Sequence, residues 1–354
     1  YAYYISGVGT RLNREELKWK ISKDLRDSVV IGGGGGAGAD ARLVSGDLGM
    51  NDALTRALET SARLAGEELA NIVESNEEEG FAKLNEALSK HRLIRSIDVS
   101  VFGFSRGAAL ARAFVNRLRK ACEKGDDGKL TYASYPIRFR FLGVFDTVAS
   151  FGLPSTNLFK QIEMRLPEEL EKCVHYVAAH ELRFSFPVDL IRQEGGYPRE
   201  DWLETVFPGV HSDVGGGYEP NAQGKTDELA RLPLMNMYAN SFASGVRLRD
   251  WKSIFEIDDL AEKFALSVET KRLYRDYLKA IGGAAQTGSV EERVKEHMKH
   301  WYAYMGALHK GMKTELEQQE EALEREVAIA KRELIQSYTS NEKRLVCEEE
   351  DSPY

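Results

Sequence analysis

Apolar residues first cluster tightly between Ser96 and Phe104, where Ile97, Val99, Val101 and Phe102 predict a buried strand. From Arg106 to Ala121 the spacing changes. Leu110, Phe114 and Leu118 fall on one face of an expected helix. A second buried strand is expected from Ile137 to Phe145, and a third, shorter one near Leu203 to Phe207. Val174 to Leu182 reads as a packed strand or the end of a helix. Strands alternating with helices predict an α/β fold, with a mostly parallel sheet covered on both sides.

Upstream, Tyr1–Ile5 is aromatic and β-prone, and it runs into the turn Gly7-Val8-Gly9-Thr10. Gly32–Gly38 is almost all glycine and predicts a flexible loop. Helices are expected over Asn51–Val73 and Phe81–His91. After about Glu228 the pattern is mainly helical. Met312–Tyr338 predicts one long charged helix with Met312, Leu316, Leu323, Val327, Ala330 and Leu334 at near-heptad spacing. Such a helix serves either as an arm or hairpin, or as a solvated helix packed by one stripe. The change of texture divides the chain into an expected catalytic domain, 1–248, and a helical extension, 249–354, for a lid, membrane or partner-binding role.

Composition narrows the function classes. The 354 residues carry a formal net charge of -8, which argues against nucleic acid as the main partner. Cys122, Cys173 and Cys347 are too few, and odd in number, for a disulfide framework, so a reducing compartment of synthesis is expected. No Cys or His spacing suggests zinc, and neither a metal nor a cofactor is expected. No uncharged apolar run reaches the roughly 18 residues that span a bilayer, and no secretory signal opens the chain. The chain starts at Tyr1 without an initiator Met, so a stretch of the gene product is expected upstream.

The strongest chemical signal is Gly103-Phe104-Ser105-Arg106-Gly107, a Gly-x-Ser-x-Gly motif between an expected strand and an expected helix. A serine on so tight a turn needs small neighbours, which Gly103 and Gly107 supply. The turn lifts the hydroxyl above the sheet and sets it at a helix N-terminus, where backbone N–H groups favour a developing negative oxygen. The N–H of Arg106 is the expected first oxyanion donor. A backbone donor near Gly9 is the candidate second.

A serine hydroxyl needs a base. His211 stands in the loop Phe207-Pro208-Gly209-Val210-His211-Ser212-Asp213-Val214-Gly215-Gly216-Gly217-Tyr218, just past a short strand. His175 and His180 lie in the packed 174–182 stretch, and His297, His300 and His309 in the helical tail. For the acid, Asp146 is the first choice, because it follows the apolar run Phe139–Phe145 at the carboxyl end of an expected parallel strand. From there it can hold the histidine tautomer that activates serine. Asp213 is the alternative acid and Asp189 a third.

Three blocks together resemble the Gly-x-Ser-x-Gly phospholipase effectors of bacterial type VI secretion and their wider family of uncharacterised α/β-hydrolase domains. They are Gly103–Ala108 with Ala111-Arg112, Gly143-Val144-Phe145-Asp146-Thr147-Val148, and Phe207–Tyr218. Tyr4–Thr10 and His180–Phe184 are similar to weaker blocks, and the resemblance covers roughly the first 245 residues. It implies an α/β-hydrolase fold and a lipase that cuts acyl esters of membrane phospholipids, with Ser105, Asp146 and His211 as its triad. It also implies synthesis in a bacterial cytoplasm, delivery by a secretion spike protein to a rival's periplasm, and a cognate immunity protein. The family's opening strand with its Asp-Gly-Thr turn is missing here.

In relatives, added helices are thought to cover the site and meet the membrane. In this chain Leu229–Leu248, with Leu232, Leu234, Met235, Met237, Tyr238 and Phe242, is the candidate lipid-facing segment, and a core helix is the competing reading. Two other functions compete with the phospholipase. One is a soluble carboxylesterase, separable by comparing short-chain esters with vesicles. The other is a catalytically inactive hydrolase-like module that binds membrane or partner, separable by labelling of Ser105 with a fluorophosphonate.

Overall fold

The computed structural model describes residues 1–5, 39–76, 80–149, 163–183, 186–193, 195–283 and 287–339. Gly7–Thr10, Gly32–Gly38 and the end of the chain after 339 lie outside the described residues. Two compact units divide the chain, Tyr1–His297 and Met298–Tyr354. In the second, residues 298–339 are helical.

A mixed sheet of mostly parallel strands forms the centre of the first unit. Its strands are β1 (Ile97–Phe104), β2 (Glu123–Lys124), β3 (Leu130–Tyr132), β4 (Tyr135–Phe145), β5 (Cys173–Ala178) and β6 (Leu203–Phe207). β1 pairs parallel with β4, β4 with β5, and β5 with β6. β2 and β3 form an antiparallel extension on the start of β4. The strands at Ile97–Phe104 and Leu203–Phe207 follow the sequence pattern closely, and β5 makes the 174–182 stretch a strand as far as Ala178, with residues 179–182 outside it.

Arg140 is an extra residue in β4. Val99 pairs with Phe139 but Ser100 pairs with Phe141, so β4 bulges there. The bulge changes which side chains share a face. Ile137 and Phe139 join Leu142 and Val144 in the main core, whereas Phe141 packs with Val174, Tyr176, Phe207 and Met237.

Helices are α1 (Ala39–Ala65), α2 (Glu67–Ser75), α3 (Gly80–Leu88), α4 (Arg106–Lys120), α5 (His211–Gly215), α6 (Glu228–Ala243), α7 (Trp251–Phe255), α8 (Asp258–Phe264), α9 (Val268–Ile281) and α10 (Val290–Thr339). Leu54 and Leu58 of α1, Leu84 and Leu88 of α3 and Val115 and Leu118 of α4 share the main core with Phe139 and Leu142. Helix α1 meets α4 at Gly46, where a Cβ would fall 2.8 Å from the Phe114 ring. Met237 of α6 lies against Gly143, whose missing side chain makes room for its sulfur.

Three local expectations need correction. The single helix over Asn51–Val73 is two helices, because Gly66 adopts φ +141°, a conformation closed to other residues in a helix. Tyr1–Ile5 forms no strand. Tyr3 instead donates its hydroxyl hydrogen to Asp52 of α1 at 2.8 Å and lays its ring over Gly49, so a helix and not a strand edge is its partner. The long C-terminal helix starts at Val290, well before Met312.

Candidate active site

Among the described residues the parallel strands β1, β4, β5 and β6 end at one edge of the sheet, where Phe104 pairs with Phe145, Phe145 with Tyr176 and Ala178 with Phe207. In a parallel sheet the crevice outside the carboxyl ends is where ligands bind. Ser105 follows β1, Asp146 follows β4, His180 lies two residues past β5, and His211 lies four past β6. Residues far apart in sequence therefore converge on that edge.

Ser105 sits at the strand-to-helix turn with φ 58° and ψ −128°, a strained conformation for a residue with a side chain. The turn is fixed on both sides. Its N–H donates to Phe145 O at 3.0 Å, and its carbonyl accepts from Val148 N–H at 3.2 Å and Ala108 N–H at 3.0 Å. Gly103 is sterically required, since a Cβ there would lie 2.4 Å from Gly107 O. Gly107 is not required in that way, because a Cβ on it would meet open space. The arrangement needs one side chain to be absent, where the motif suggested two. Arg106 is the first residue of α4, and no carbonyl within the helix can reach its N–H.

His211 bridges the other two. Its Nε2 is 2.8 Å from Ser105 Oγ and its Nδ1 is 2.6 Å from Asp146 Oδ2. Asp146 and His211 are buried, and Ser105 is half-buried. Asp146 Oδ1 accepts the N–H of Ala178 at 2.9 Å, and its own N–H donates to Tyr176 O at 2.7 Å, so both carboxylate oxygens are engaged. Its φ of 39° turns the chain sharply off β4. With Asp146 accepting from Nδ1–H, Nε2 is left as the acceptor for the serine hydroxyl.

The imidazole is held between two rings. Phe104 lies 4.5 Å and Phe186 4.9 Å away, centre to centre. Gly215 makes room for Phe104, since a Cβ there would sit 2.0 Å from that ring. The N–H of His211 donates to Glu181 Oε2 at 3.3 Å. Burial would raise the Glu181 carboxyl, but hydrogen bonds from Arg183 and His211 and the Arg183 charge outweigh it and bring its pKa down to about 2.

The competing acids are engaged elsewhere. Asp213 accepts Val210 N–H at 2.9 Å through Oδ2 and so caps the short helix α5. Asp189 accepts Ala149 N–H at 2.8 Å and donates its own N–H to Thr147 O at 2.8 Å, which ties down the segment after Asp146. The Gly9 position lies outside the described residues.

Sequence reasoning missed a second buried group behind Asp146. His175 and Glu204 are wholly buried and bonded at 2.7 Å, and His175 Nε2 accepts the N–H of Thr147 at 3.2 Å. Nδ1 therefore carries the hydrogen that goes to Glu204. Glu204 also accepts from Ile191 N–H and Tyr197 Oη. Burial pushes its carboxyl up, but those partners hold it below the usual range. The signal was a lone glutamate in the apolar run Leu203–Phe207. Arg112, beside Ala111 in α4, is another residue whose role the sequence pattern does not show. Its buried guanidinium donates to the carbonyls of Met164, Asp189 and Leu190, and burial lowers its pKa.

Residues 116–240 match the family described as "T6SS, Phospholipase effector Tle1-like, catalytic domain". The span takes in Asp146 and His211 and begins eleven residues after Ser105. The resemblance to type VI secretion phospholipase effectors read from the sequence is borne out by this match. None of the curated proteins matches the chain. Among solved structures, an uncharacterized protein from Pseudomonas aeruginosa is 29% identical with a TM-score of 0.58, over 74% of this chain and 42% of that one. The chain thus spans less than half the length of that protein. The Tle1 effector bound to the VgrG spike of the Type 6 secretion system is 19% identical with a TM-score of 0.40, over 75% of this chain and 66% of that one.

Proposed function

We propose that this chain carries a serine hydrolase of the α/β-hydrolase type that cleaves acyl esters of membrane glycerophospholipids, as a phospholipase A. The observation that carries this reading is the unbroken series Ser105 Oγ, His211 and Asp146, bonded at 2.8 and 2.6 Å. The family match, whose description names a phospholipase effector, supplies the substrate class.

His211 Nε2 takes the hydroxyl proton of Ser105 as the oxygen attacks the ester carbonyl. Asp146 holds Nδ1–H and stabilises the imidazolium that forms. The tetrahedral oxyanion is met by the N–H of Arg106, while the second donor expected near Gly9 lies outside the described residues. The carbon–oxygen ester bond then breaks, and His211 returns the proton to the leaving lysophospholipid oxygen. Water, deprotonated by the same imidazole, attacks the acyl-serine, releases the fatty acid and restores Ser105. The reaction balances with water as its only co-reactant.

The catalytic domain is assigned to residues 1–248 and the helical extension to 249–354. Of the lipid-facing candidates on α6, Leu234 and Phe242 are exposed and Met237 is buried, so membrane contact is assigned to the first two. That contact is proposed as peripheral, and among the described residues no helix is long and apolar enough to cross a membrane. As an effector the protein would leave its cytoplasm of synthesis on a spike protein, act from the periplasm of a rival cell, and be restrained at home by an immunity protein.

The test is fatty-acid release from phospholipid vesicles by the unaltered chain and by Ser105→Ala, with thermal unfolding to show that the variant folds. Full loss of release in a folded variant supports the proposal. Undiminished release from Ser105→Ala contradicts it.

A further inference from the structure

Beneath the loop that carries His211, three aromatic side chains are bonded in series. Gly209, two residues before His211, is gripped twice by His180: its carbonyl accepts the His180 backbone N–H at 3.0 Å, and its N–H donates to His180 Nδ1 at 3.0 Å. An imidazole nitrogen that accepts from a backbone N–H carries no hydrogen, so the neutral ring has its hydrogen on Nε2. Burial favours that neutral form and lowers the pKa of His180, against a hydrogen bond to the His297 backbone and the Asp213 charge, which raise it. Nε2 faces Tyr277 Oη at 3.3 Å, and Tyr277 Oη lies 2.6 Å from His297 Nδ1. Burial pushes the Tyr277 hydroxyl up to about 12, so it keeps its proton and can donate it to His297. His297 is almost fully buried.

Gly209 N–H thus donates into His180 Nδ1, which leaves the His180 Nε2–H facing Tyr277, and Tyr277 Oη in turn bonds His297 Nδ1. Tyr277 belongs to α9 and His297 to α10, whereas His180 follows β5. Gly209 itself has little freedom, with φ +112° and a missing Cβ that would otherwise strike Asp213 at 2.5 Å.

We propose that His180, Tyr277 and His297 form a positioning row through which helices α9 and α10 set the alignment of His211 on Ser105. None of the three touches the reacting atoms. Their role is to fix the Gly209 end of a three-residue link, Gly209–His211, whose far end carries the base. This rests on the catalytic roles given above to Ser105 and His211. It gives residues after 248 a part in the chemistry as well as in contact with membrane or partner.

Misplacing a catalytic group by a fraction of an ångström lowers turnover without changing how well substrate binds. The test uses the full chain and a soluble short-chain ester, with the rate of Ser105 labelling by a fluorophosphonate as a second readout. Tyr277→Phe removes one oxygen and leaves the ring. It is expected to lower kcat and the labelling rate together by about 5- to 10-fold, with KM and the melting temperature little changed. His180→Ala is expected to cost more, and His180→Asn, whose amide oxygen can replace Nδ1 as acceptor, is expected to restore part of that loss. If the unaltered chain labels at Ser105 and both Tyr277→Phe and His180→Ala label at the same rate, the positioning row is wrong and the catalytic reading survives. If the unaltered chain neither labels nor turns over ester, the catalytic reading fails and the row's role falls with it.

Discussion

The backbone N–H of Ser105 donates to the carbonyl of Phe145 at 3.0 Å, so the residue with the hydroxyl is joined directly to the residue before Asp146. This single bond links the turns that end two neighbouring parallel strands. The strained φ angles of Ser105 and Asp146, 58° and 39°, face each other across it. Strain in a turn persists only where the surroundings over-determine it. Here Val148 N–H, Ala108 N–H, Tyr176 O and the His175–Thr147 contact provide that restraint.

The two glycines of the serine motif should behave differently. Gly103→Ala forces a Cβ to within 2.4 Å of Gly107 O and is expected to destabilise the fold by about 2 kcal/mol or more. Gly107→Ala places its methyl in open space inside α4 and should be neutral, or stabilising by up to about 1 kcal/mol through helix propensity. Urea unfolding of the two variants measures the difference. Equal destabilisation would show that the close approach at Gly103 is not what constrains the turn.

Asp146 and Asp213 are separated by their partners. Asp146→Asn leaves His211 without its carboxylate and is expected to lower kcat by about 10³- to 10⁴-fold. Asp213→Asn keeps an oxygen that can accept Val210 N–H and should cost less than about 10-fold. Initial rates on a soluble ester decide between them, and a larger loss at Asp213 would reverse the assignment of the acid.

Glu181 gives the loop a pH dependence. Its carboxyl titrates near 2 when folded, against 4.5 for the free group. A depressed folded pKa contributes stability that is complete above the unfolded pKa and lost as pH falls through the folded one. The stability difference between the unaltered chain and Glu181→Gln should therefore be constant above about pH 5 and shrink between about pH 4.5 and 2. The effect is modest, because the Arg183 partner is half exposed and screened. Denaturant titrations across that range check it, and a difference that grows on acidification would contradict it.

The buried pair behind Asp146 is expected to be structural. Glu204→Ala leaves the buried His175 Nδ1–H and Ile191 N–H without their acceptor, and the exposed Tyr197 without its partner. Leaving a buried neutral donor without its acceptor costs about 1 to 3 kcal/mol. The melting temperature should fall by several degrees, whereas a variant as stable as the parent would mean that the cavity admits water.

The strand ends and the motif around Ser105 were legible because a fully buried parallel strand is an apolar run and a nucleophile turn needs a glycine. Asp146 could be read because it follows such a run directly, and His211 because its loop opens just past one. Glu204 and His175 were not legible as a pair. Each is a polar residue inside an apolar strand, and only the parallel register of β5 and β6, which sets His175 opposite Glu204, shows that they meet. The row from His180 to His297 was hidden for a similar reason. His297 has a helical-tail context in sequence, and its partners come from α9 and the loop after β5. The bulge at Arg140 was invisible too, because it depends on a neighbouring strand.

The central claim is that His211 activates Ser105. It is tested most directly by treating the intact chain with a fluorophosphonate and locating the adduct by mass spectrometry, beside His211→Ala and Asp146→Ala. One adduct is expected, on the peptide containing Ser105, formed at a rate that falls by orders of magnitude in both variants. An adduct on another residue, or labelling of Ser105 that is indifferent to the loss of His211, would contradict it.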